Sequence, residues 1–563
     1  MKLNERKFNK LIASTVLTTA FTISALTSPA SAQADDNFIP ILSFAAAIFN
    51  QGVFPQSDNY TIDDDISVIA EDGVNIDGNI FVPNNLSGPA PAIIFISSWA
   101  LNEYEYLQQA GQLADQGYIV LSYAPRGFGT SGGLVDTAGP KDIADLSNVI
   151  DFLIENYPVD ENAIGAGGIS YGAGISVIGA AKDPRIKAVS AMSGWGSLKD
   201  SLYGNQTPRL VWATILDLSG QLLGRLDPIV SEYVEILIDQ DLERQQEVFD
   251  WAEIRSPNSY IDELNANGTA IYFGKAYGDN LFQPNSVMDM FSQLEVPKYM
   301  DIMPGTHATA ELLPPLLGLG DNRMWENTFK WFDLHLKGEV NDLVGAKPLN
   351  MKIKFQDRYE SFDDYPVAEA SPETFYLHPR SVFDDGDLET SPFRSWFAFD
   401  NTINGWKGSL FTTAIPLISP LLEQLEVPTV TNIKLADQFT SIYFNTGRLD
   451  ETMKIRGTAN VSLQIQPKYK TVQLVAYLYD EDALGNAILI THGVITLPVA
   501  EKGKKITVDF DLVTIAYDVP KGHKVTLAID TKDLQYKSPT KKAFFVDFEF
   551  SNNSQSTLTI PTL

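Results

Sequence analysis

The stretch AIGAGGISYG, residues 163–172, places a serine between an apolar run and a segment of small residues. Residues 163–169 predict a strand, and the pattern from Tyr171 onward predicts a helix that begins immediately after Ser170. A tight strand-to-helix turn of this kind lifts a serine hydroxyl out of the edge of a sheet, and the flanking glycines leave room for the turn. The stretch therefore predicts a nucleophilic serine in a fold of alternating strands and helices.

A second G-x-S-x-G pentapeptide occupies residues 129–133. Its Ser131 follows a glycine-rich loop several residues beyond the nearest predicted strand, and no helix begins directly after it. Because the exposed turn needs both flanking elements, we interpret Ser131 as a loop residue and keep Ser170 as the nucleophile.

Strands and helices alternate on both sides of the serine. The predicted strands lie at 66–70, 74–82, 91–96, 118–123, 189–193, 270–273 and 298–303, and the helices at 103–116, 141–156 and 323–337. This alternation indicates a parallel sheet covered on both faces. Residues 200–265 show helical spacing without strand runs, and we predict a cap over the ligand-binding edge of the sheet. The alternative is a long connection without a role.

After about residue 345, short strands separated by turns predict an antiparallel β-sandwich. The chain accordingly divides into four predicted parts. These are a leader at 1–32, an α/β domain at 33–199 and 266–344, a helical cap at 200–265, and an all-β domain at 345–563.

The leader combines a basic start, an apolar stretch at 11–26 and the small residues Ala30-Ser31-Ala32 before Gln33. This layout is typical of a secretory signal peptide and predicts a secreted or periplasmic protein. A membrane anchor is the alternative, but the apolar run is short and interrupted by threonines and serines.

The composition restricts the partners. The net charge of −30 over 563 residues disfavours binding to nucleic acid or to an anionic membrane. The absence of cysteine excludes disulfides, thiolate metal sites and a cysteine nucleophile. We expect a small-molecule or peptide substrate, no cofactor and no metal. The acidic clusters at 384–387 and 480–482 have oxygen ligands suited to calcium but are more often turns.

A serine hydroxyl needs a base, and the base needs an orienting acid. Of five histidines, His307 lies in a loop directly after a predicted strand. Asp279 lies in the loop after the preceding strand, so Ser170, Asp279 and His307 follow the chain order of α/β-hydrolases. Asp301 is the second candidate acid, but it lies on a strand and is interpreted as a solvated strand carboxylate.

Hydrolysis also needs hydrogen-bond donors for the developing oxyanion. The main-chain N–H of Tyr171 is one predicted donor. The loop at 97–100 offers the indole N–H of Trp99 as the second, with an aromatic side chain that lines the cleft as the alternative.

Several motifs occur together along the chain. They are the hairpin at 66–82, RGFGTSG at 126–132, GISYG at 168–172, the helix end at 331–338 and GHKVTL at 522–527. With these motifs the chain resembles the X-prolyl dipeptidyl-peptidase and cocaine-esterase (CocE/NonD) family of serine hydrolases. The resemblance implies an α/β-hydrolase domain with a helical cap insertion and a C-terminal jelly-roll sandwich.

The resemblance also implies site residues. Ser170, Asp279 and His307 fall on the triad positions of the family, and His523 falls on a structural position. Trp99 stands where the family usually has the tyrosine of a Pro-Tyr pair as second oxyanion donor, and no proline precedes it. Because of this departure, the substrate specificity of the family members is not carried over to this chain.

We therefore predict a secreted serine hydrolase that forms an acyl-enzyme on an ester or amide, either X-Pro dipeptidyl-peptidase-like or acyl-esterase-like. Dipeptidyl-peptidase action would need a carboxylate for the free α-ammonium group. The cap offers Asp239, Asp241, Glu243 and Glu247, although a charge run is usually a solvated face. The alternative function is a glycan- or surface-binding protein that uses its C-terminal sandwich and carries a vestigial hydrolase domain.

Overall fold

The structure is a computed structural model, and it describes residues 54–563 apart from 318–320, 382–384, 410, 414–417, 541, 543 and 554. The predicted leader at 1–32 and Asp384 of the first acidic cluster lie outside the described residues.

Ten strands of the described chain form the first sheet. They are β1 (Tyr60–Ile69), β2 (Asn75–Pro83), β3 (Ala90–Ile96), β4 (Ile119–Tyr123), β5 (Val159–Ile169), β6 (Ile186–Met192), β7 (Ala270–Ala276), β8 (Lys298–Met303), β9 (Leu349–Lys352) and β10 (Tyr359–Phe362). Their order is β1-β2-β4-β3-β5-β6-β7-β8-β9-β10. Along this order, each strand from β4 through β3 to β9 pairs in parallel with the next. The β1-β2, β2-β4 and β9-β10 pairs at the two ends of the sheet are antiparallel.

Helices cover both faces of this sheet. They are α1 (Leu107–Asp115), α2 (Pro140–Asn156), α3 (Tyr171–Lys182), α9 (Pro284–Gln293), α10 (Thr309–Leu317) and α11 (Arg323–Phe332), which continues as a π-helical turn over Asp333–Lys337. Because the central parallel strands are covered on both sides, they are apolar and almost fully buried rather than alternating. The carboxyl ends of β5, β7 and β8 consequently meet along one edge.

The insert between β6 and β7 consists of helices joined by short loops. It contains α4 (Leu198–Tyr203), α5 (Leu210–Leu223), α6 (Pro228–Asp239), α7 (Gln245–Glu253) and α8 (Ile261–Asn267), with 3-10 turns at Gly204–Gln206 and Pro257–Tyr260. The second domain holds the start of this insert, since Lys537 N–H donates to the Pro208 carbonyl at 3.0 Å.

The second domain is almost entirely strands. They are β11 (Ser371–His378), β12 (Gly386–Glu389), β13 (Phe399–Asn404), β14 (Val430–Asn432), β15 (Ile442–Asn445), β16 (Met453–Gly457), β17 (Asn460–Pro467), β18 (Val472–Glu481), β19 (Asn486–Leu497), β20 (Ile506–Asp511), β21 (Ile515–Val519), β22 (Lys524–Asp530), β23 (Phe545–Phe550) and β24 (Thr557–Thr562). A short helix, α12 (Ile418–Gln424), and a 3-10 turn, Ile433–Leu435, interrupt them.

The fold class is confirmed: an α/β-hydrolase domain with a helical cap, followed by a C-terminal all-β domain. One detail differs from the division at residue 345. Strands β9 and β10 follow that position yet extend the first sheet, because β9 pairs in parallel with β8. The change from one sheet to the other therefore comes after Phe362. In the part of the chain that the structure describes, no helix combines the length and apolarity that crossing a membrane requires.

Candidate active site

Ser170 lies at the turn between β5 and α3. Its backbone has φ 56° and ψ −110°, a conformation that non-glycine residues rarely adopt and that the surrounding structure must hold. The turn brings α3 close to β3: a Cβ atom on Gly168 or Gly172 would lie 2.5 Å or 1.9 Å from the carbonyl oxygen of Ile96. The two glycines are therefore needed for close approach of the backbone, as the sequence pattern indicates.

The structure brings the predicted serine, histidine and aspartate together. Ser170 Oγ lies 2.8 Å from His307 Nε2, and His307 Nδ1 lies 3.1 Å from Asp279 Oδ2. Each residue follows the carboxyl end of a parallel strand, and the parallel pairing aligns those ends. The arrangement has the hydrogen bonds of a nucleophile, a base and an orienting acid.

A buried lysine accompanies the aspartate. Lys275 Nζ lies 2.8 Å from Asp279 Oδ2 and also donates to the Gly194 carbonyl at 2.9 Å. The lysine and aspartate side chains are 1% and 0% exposed. Burial acts to raise the pKa of Asp279, but the Lys275 ammonium and the His307 ring outweigh it and lower the pKa to about 2. Asp279 is therefore a carboxylate at neutral pH.

The loop that carries His307 is fixed from several sides. The imidazole lies between Trp212 of the cap and Phe282, with ring centroids 5.4 Å and 5.2 Å away. The main-chain N–H of Ala308 donates to Ser193 Oγ at 3.2 Å, and that hydroxyl donates to Glu311 Oε1 at 2.6 Å. Burial raises the pKa of Glu311 to about 6.

The second domain also contacts the site loops. Gln424 Nε2 donates to the Thr309 carbonyl at 3.2 Å, two residues after His307. Pro420 packs on the loop that carries Asp279. A Cβ atom added to Gly278 of that loop would lie 2.6 Å from the Cβ of Pro420. Helix α12 thus supports the loops of both the histidine and the aspartate.

The predicted oxyanion donors differ in their outcome. Tyr171 is the first residue of α3, so its main-chain N–H has no carbonyl partner within the helix and lies beside Ser170. The indole N–H of Trp99 instead donates to the Leu216 carbonyl of α5 at 3.1 Å. The prediction of an indole donor is therefore corrected, because the cap takes up that N–H; Trp99 lines the cleft, the alternative given above.

Another buried carboxyl lies beneath the loop at 97–100 after β3, which is named the oxyanion loop for its predicted role. Glu105 Oε2 accepts the main-chain N–H of Ser98 at 2.6 Å, and Ser98 Oγ lies 2.7 Å from Glu105 Oε1 and 3.0 Å from the Ile169 carbonyl. Burial raises the pKa of Glu105 to about 7. These contacts join the loop after β3 to the end of β5, one residue before Ser170.

Sequence reasoning missed Lys275, Glu311 and Glu105. Lys275 and Glu311 are charged residues in otherwise apolar stretches of sequence, and that contrast was the available signal, whereas Glu105 lies in a polar stretch that gives no such signal. The other candidates lie apart from the site. Ser131 is buried and bonds to Ala124, and Asp301 is fully buried and paired with Arg323, so its interpretation as a solvated carboxylate is wrong.

The four remaining histidines have other contacts. His335 packs on Trp331, His378 bonds to Ser391, His492 to Tyr536 and His523 to Asp480. Over the described residues, no group of three or more His, Asp or Glu side chains is arranged to hold a metal ion.

Two domain comparisons assign the chain to a family. Residues 72–309 match the X-Pro dipeptidyl-peptidase (S15 family) domain, and residues 342–543 match the X-Pro dipeptidyl-peptidase C-terminal non-catalytic domain. Together the matches span more than three quarters of the chain. The chain belongs to the S15 hydrolase family. The S15 domain contains the serine, the aspartate and the histidine of the site.

Solved structures share this two-domain fold over at least 90% of the chain. A CocE/NonD family hydrolase from Staphylococcus aureus is 14% identical with a TM-score of 0.70, and the match covers 90% of this chain and 94% of that chain. An α-amino acid ester hydrolase is 15% identical with a TM-score of 0.68, covering 95% and 100%. An aminopeptidase from a marine sediment Thaumarchaeota archaeon is 13% identical with a TM-score of 0.68, covering 91% and 98%. These likenesses show the fold.

An uncharacterized protein of Pseudomonas aeruginosa is 30% identical over 121 residues. That match covers 21% of this chain and about a third of the length of the relative.

Proposed function

We propose that this S15 hydrolase is a serine hydrolase that forms an acyl-enzyme at Ser170. The observation that carries the proposal is the 2.8 Å separation of Ser170 Oγ and His307 Nε2 at the strained turn after β5. Asp279 accepts the Nδ1–H of His307, which leaves Nε2 as the acceptor that faces the serine.

In the first half of the reaction, Ser170 Oγ attacks the substrate carbonyl carbon while His307 Nε2 takes the hydroxyl proton. The main-chain N–H of Tyr171 is the proposed donor to the oxyanion, and a main-chain N–H of the loop after β3 is the proposed second donor. The C–O or C–N bond then breaks, and His307 protonates the leaving alcohol or amine. Water, deprotonated by the same imidazole, attacks the acyl-enzyme and releases the acid.

The glycan-binding alternative requires a vestigial site. The aligned Ser170, His307 and Asp279, together with the ionised state of the aspartate, favour a working hydrolase.

The two G-x-S-x-G serines provide a matched test. Ser170→Ala should abolish both p-nitrophenyl ester hydrolysis and labelling by a fluorophosphonate, with an unchanged circular dichroism spectrum. Ser131→Ala removes a hydroxyl that bonds within its own loop and to β2, so labelling should persist. Labelling that survives in Ser170→Ala would overturn the proposal.

We also propose that the protein is exported by its leader at 1–32. Support comes from the basic start, the apolar stretch and the small residues before Gln33. Amino-terminal sequencing of the protein recovered outside the cytoplasm should begin at Gln33. Recovery of full-length protein from the cytoplasm alone would contradict export.

A further inference from the structure

A cavity of about 80 Å³ lies above Ser170 under the cap. Its lining is dominated by apolar side chains from the cap helices and the site loops. They include Leu198, Leu202, Val234, Phe249, Trp251 and Phe282. The cavity also touches Trp99 and Tyr171, so it begins at the nucleophile and the oxyanion loop.

The cap holds this cavity in place over the serine. The indole of Trp99 ties the loop after β3 to Leu216 of α5 and packs edge-on against Tyr171, with ring centroids 5.4 Å apart. Tyr233 of α6 packs edge-on against Trp251 of α7 at 5.5 Å. Aromatic contacts therefore join the roof helices to each other and to the floor of the site.

The acidic residues that the sequence offered for an ammonium group lie elsewhere. Asp239, Glu243 and Glu247 are exposed on the outside of the cap, and Glu247 pairs with Arg244. Asp241 is half-buried and accepts main-chain N–H groups at the start of the next turn. None of these four residues is among the described residues that line the cavity.

Two charged side chains are among the described residues that line the cavity, Lys199 and Asp217. Lys199 is 46% exposed and lies 3.6 Å from Asp200. Asp217 already accepts hydrogen bonds from Gln221 Nε2 and from Ser231 Oγ at 2.6 Å, which joins α5 to α6. Both oxygens of the one lining carboxylate thus accept hydrogen bonds from neutral side chains of the cap, which fix its orientation within the described structure.

We infer that the cavity receives the acyl group of esters of uncharged, apolar monocarboxylic acids. The inference rests on the proposed function, because the acyl carbonyl must reach Ser170. Hydrolysis then breaks the acyl C–O bond, adds water across it, and yields the acid and the alcohol. An apolar chain gains from leaving water, whereas an α-ammonium group loses its hydration among apolar side chains, and the one described lining carboxylate, Asp217, is already oriented by Gln221 and Ser231.

The test compares p-nitrophenyl esters that differ only in the acyl group. Values of kcat/KM should rise from acetate to butyrate to hexanoate, by about fourfold for each methylene that the cavity buries. The hexanoate ester should exceed the 2-aminohexanoate ester, which differs only by the α-ammonium group, by at least tenfold after subtraction of the spontaneous rates.

Two tryptophan substitutions on α6 separate cavity filling from a general effect. Val234→Trp fills the cavity, so the hexanoate-to-acetate ratio should fall at least tenfold while acetate is still hydrolysed. Glu235→Trp places the same side chain at the adjacent exposed position and should leave the ratio unchanged. Asp217→Asn should not selectively lower hydrolysis of the 2-aminohexanoate ester.

The outcomes distinguish the two proposals. If no ester is hydrolysed and a fluorophosphonate does not label Ser170, the proposed function fails, and this inference fails with it. If the enzyme is labelled and active but prefers the 2-aminohexanoate ester, only the inference is overturned. Loss of that preference in Asp217→Asn would then assign the binding of the ammonium group to Asp217. A profile that is flat in chain length and insensitive to Val234→Trp overturns it as well.

Discussion

Substitution of Lys275 by methionine removes the ammonium group from the buried pair with Asp279 and keeps a long apolar side chain. The two charged atoms lie 2.8 Å apart, and both side chains are almost fully buried. Asp279 Oδ1 retains the main-chain N–H groups of Leu281 and Phe282, at 3.1 Å and 2.9 Å. The substitution therefore isolates the contribution of one cation to the carboxylate of the site.

The size of the effect follows from the pKa of Asp279. Burial acts to raise that pKa, but Lys275 and His307 lower it from its ordinary 3.8 to about 2, a difference that corresponds to about 2.5 kcal/mol of stability. Because the folded-state pKa is lowered, this stability is complete above about pH 4 and is lost as the pH falls through about 2. Leaving the carboxylate buried without its cation costs more, about 3–5 kcal/mol.

Urea unfolding followed by tryptophan fluorescence measures the cost. At pH 7 Lys275→Met should lower the free energy of unfolding by about 3–5 kcal/mol, and the loss should shrink towards pH 3 as the carboxyl of the variant takes up a proton. The exposed pair of Lys182 and Glu263 is the matched control, since Lys182→Met should cost less than about 1 kcal/mol.

If Lys275→Met does not fold, the double variant with Asp279→Asn removes both charges and should recover most of the stability. The reasoning is refuted if Lys275→Met costs no more than Lys182→Met, or if its cost is the same at pH 7 and pH 3.

Two further substitutions test the turn and the oxyanion loop. Gly172→Ala should lower the free energy of unfolding by about 1–3 kcal/mol, because its methyl group would lie 1.9 Å from the Ile96 carbonyl oxygen. Gly88→Ala is the control: the position has open space around it, so the free energy of unfolding should change little. A Gly172→Ala protein as stable as Gly88→Ala would contradict the close approach of α3 to β3. Trp99→Phe should cost about 1 kcal/mol through the lost bond to Leu216 and lower kcat less than tenfold. A loss of about 10²–10³ in kcat would instead show that the indole stabilises the oxyanion.

Much of the site could be predicted because it depends on local order along the chain. The turn at Ser170 needs a strand before it and a helix after it, and both leave clear patterns in the sequence. The loops of Asp279 and His307 follow strands β7 and β8, and the carboxyl ends of strands in a predicted parallel sheet lie at one edge.

The parts that could not be predicted depend on contacts between distant segments. The bond partner of the Trp99 indole is 117 residues away on α5, and nothing near Trp99 in sequence specifies where that helix packs. Asp301 was interpreted as a solvated residue because the strand pattern does not reveal that Arg323, 22 residues later, pairs with its carboxylate. Strands β9 and β10 resembled the β-rich domain that follows them, although they pair with the first sheet.

The contacts of α12 bear on how such a protein evolves. Gln424 and Pro420 press on the two loops that carry the histidine and the aspartate, so the reactive geometry is shared between domains. A β-rich domain acquired from another gene would have to place an equivalent of the Gln424 amide and of the Pro420 ring against the same two loops. We expect the two halves of this chain to be inherited as a pair and to lose turnover when exchanged singly.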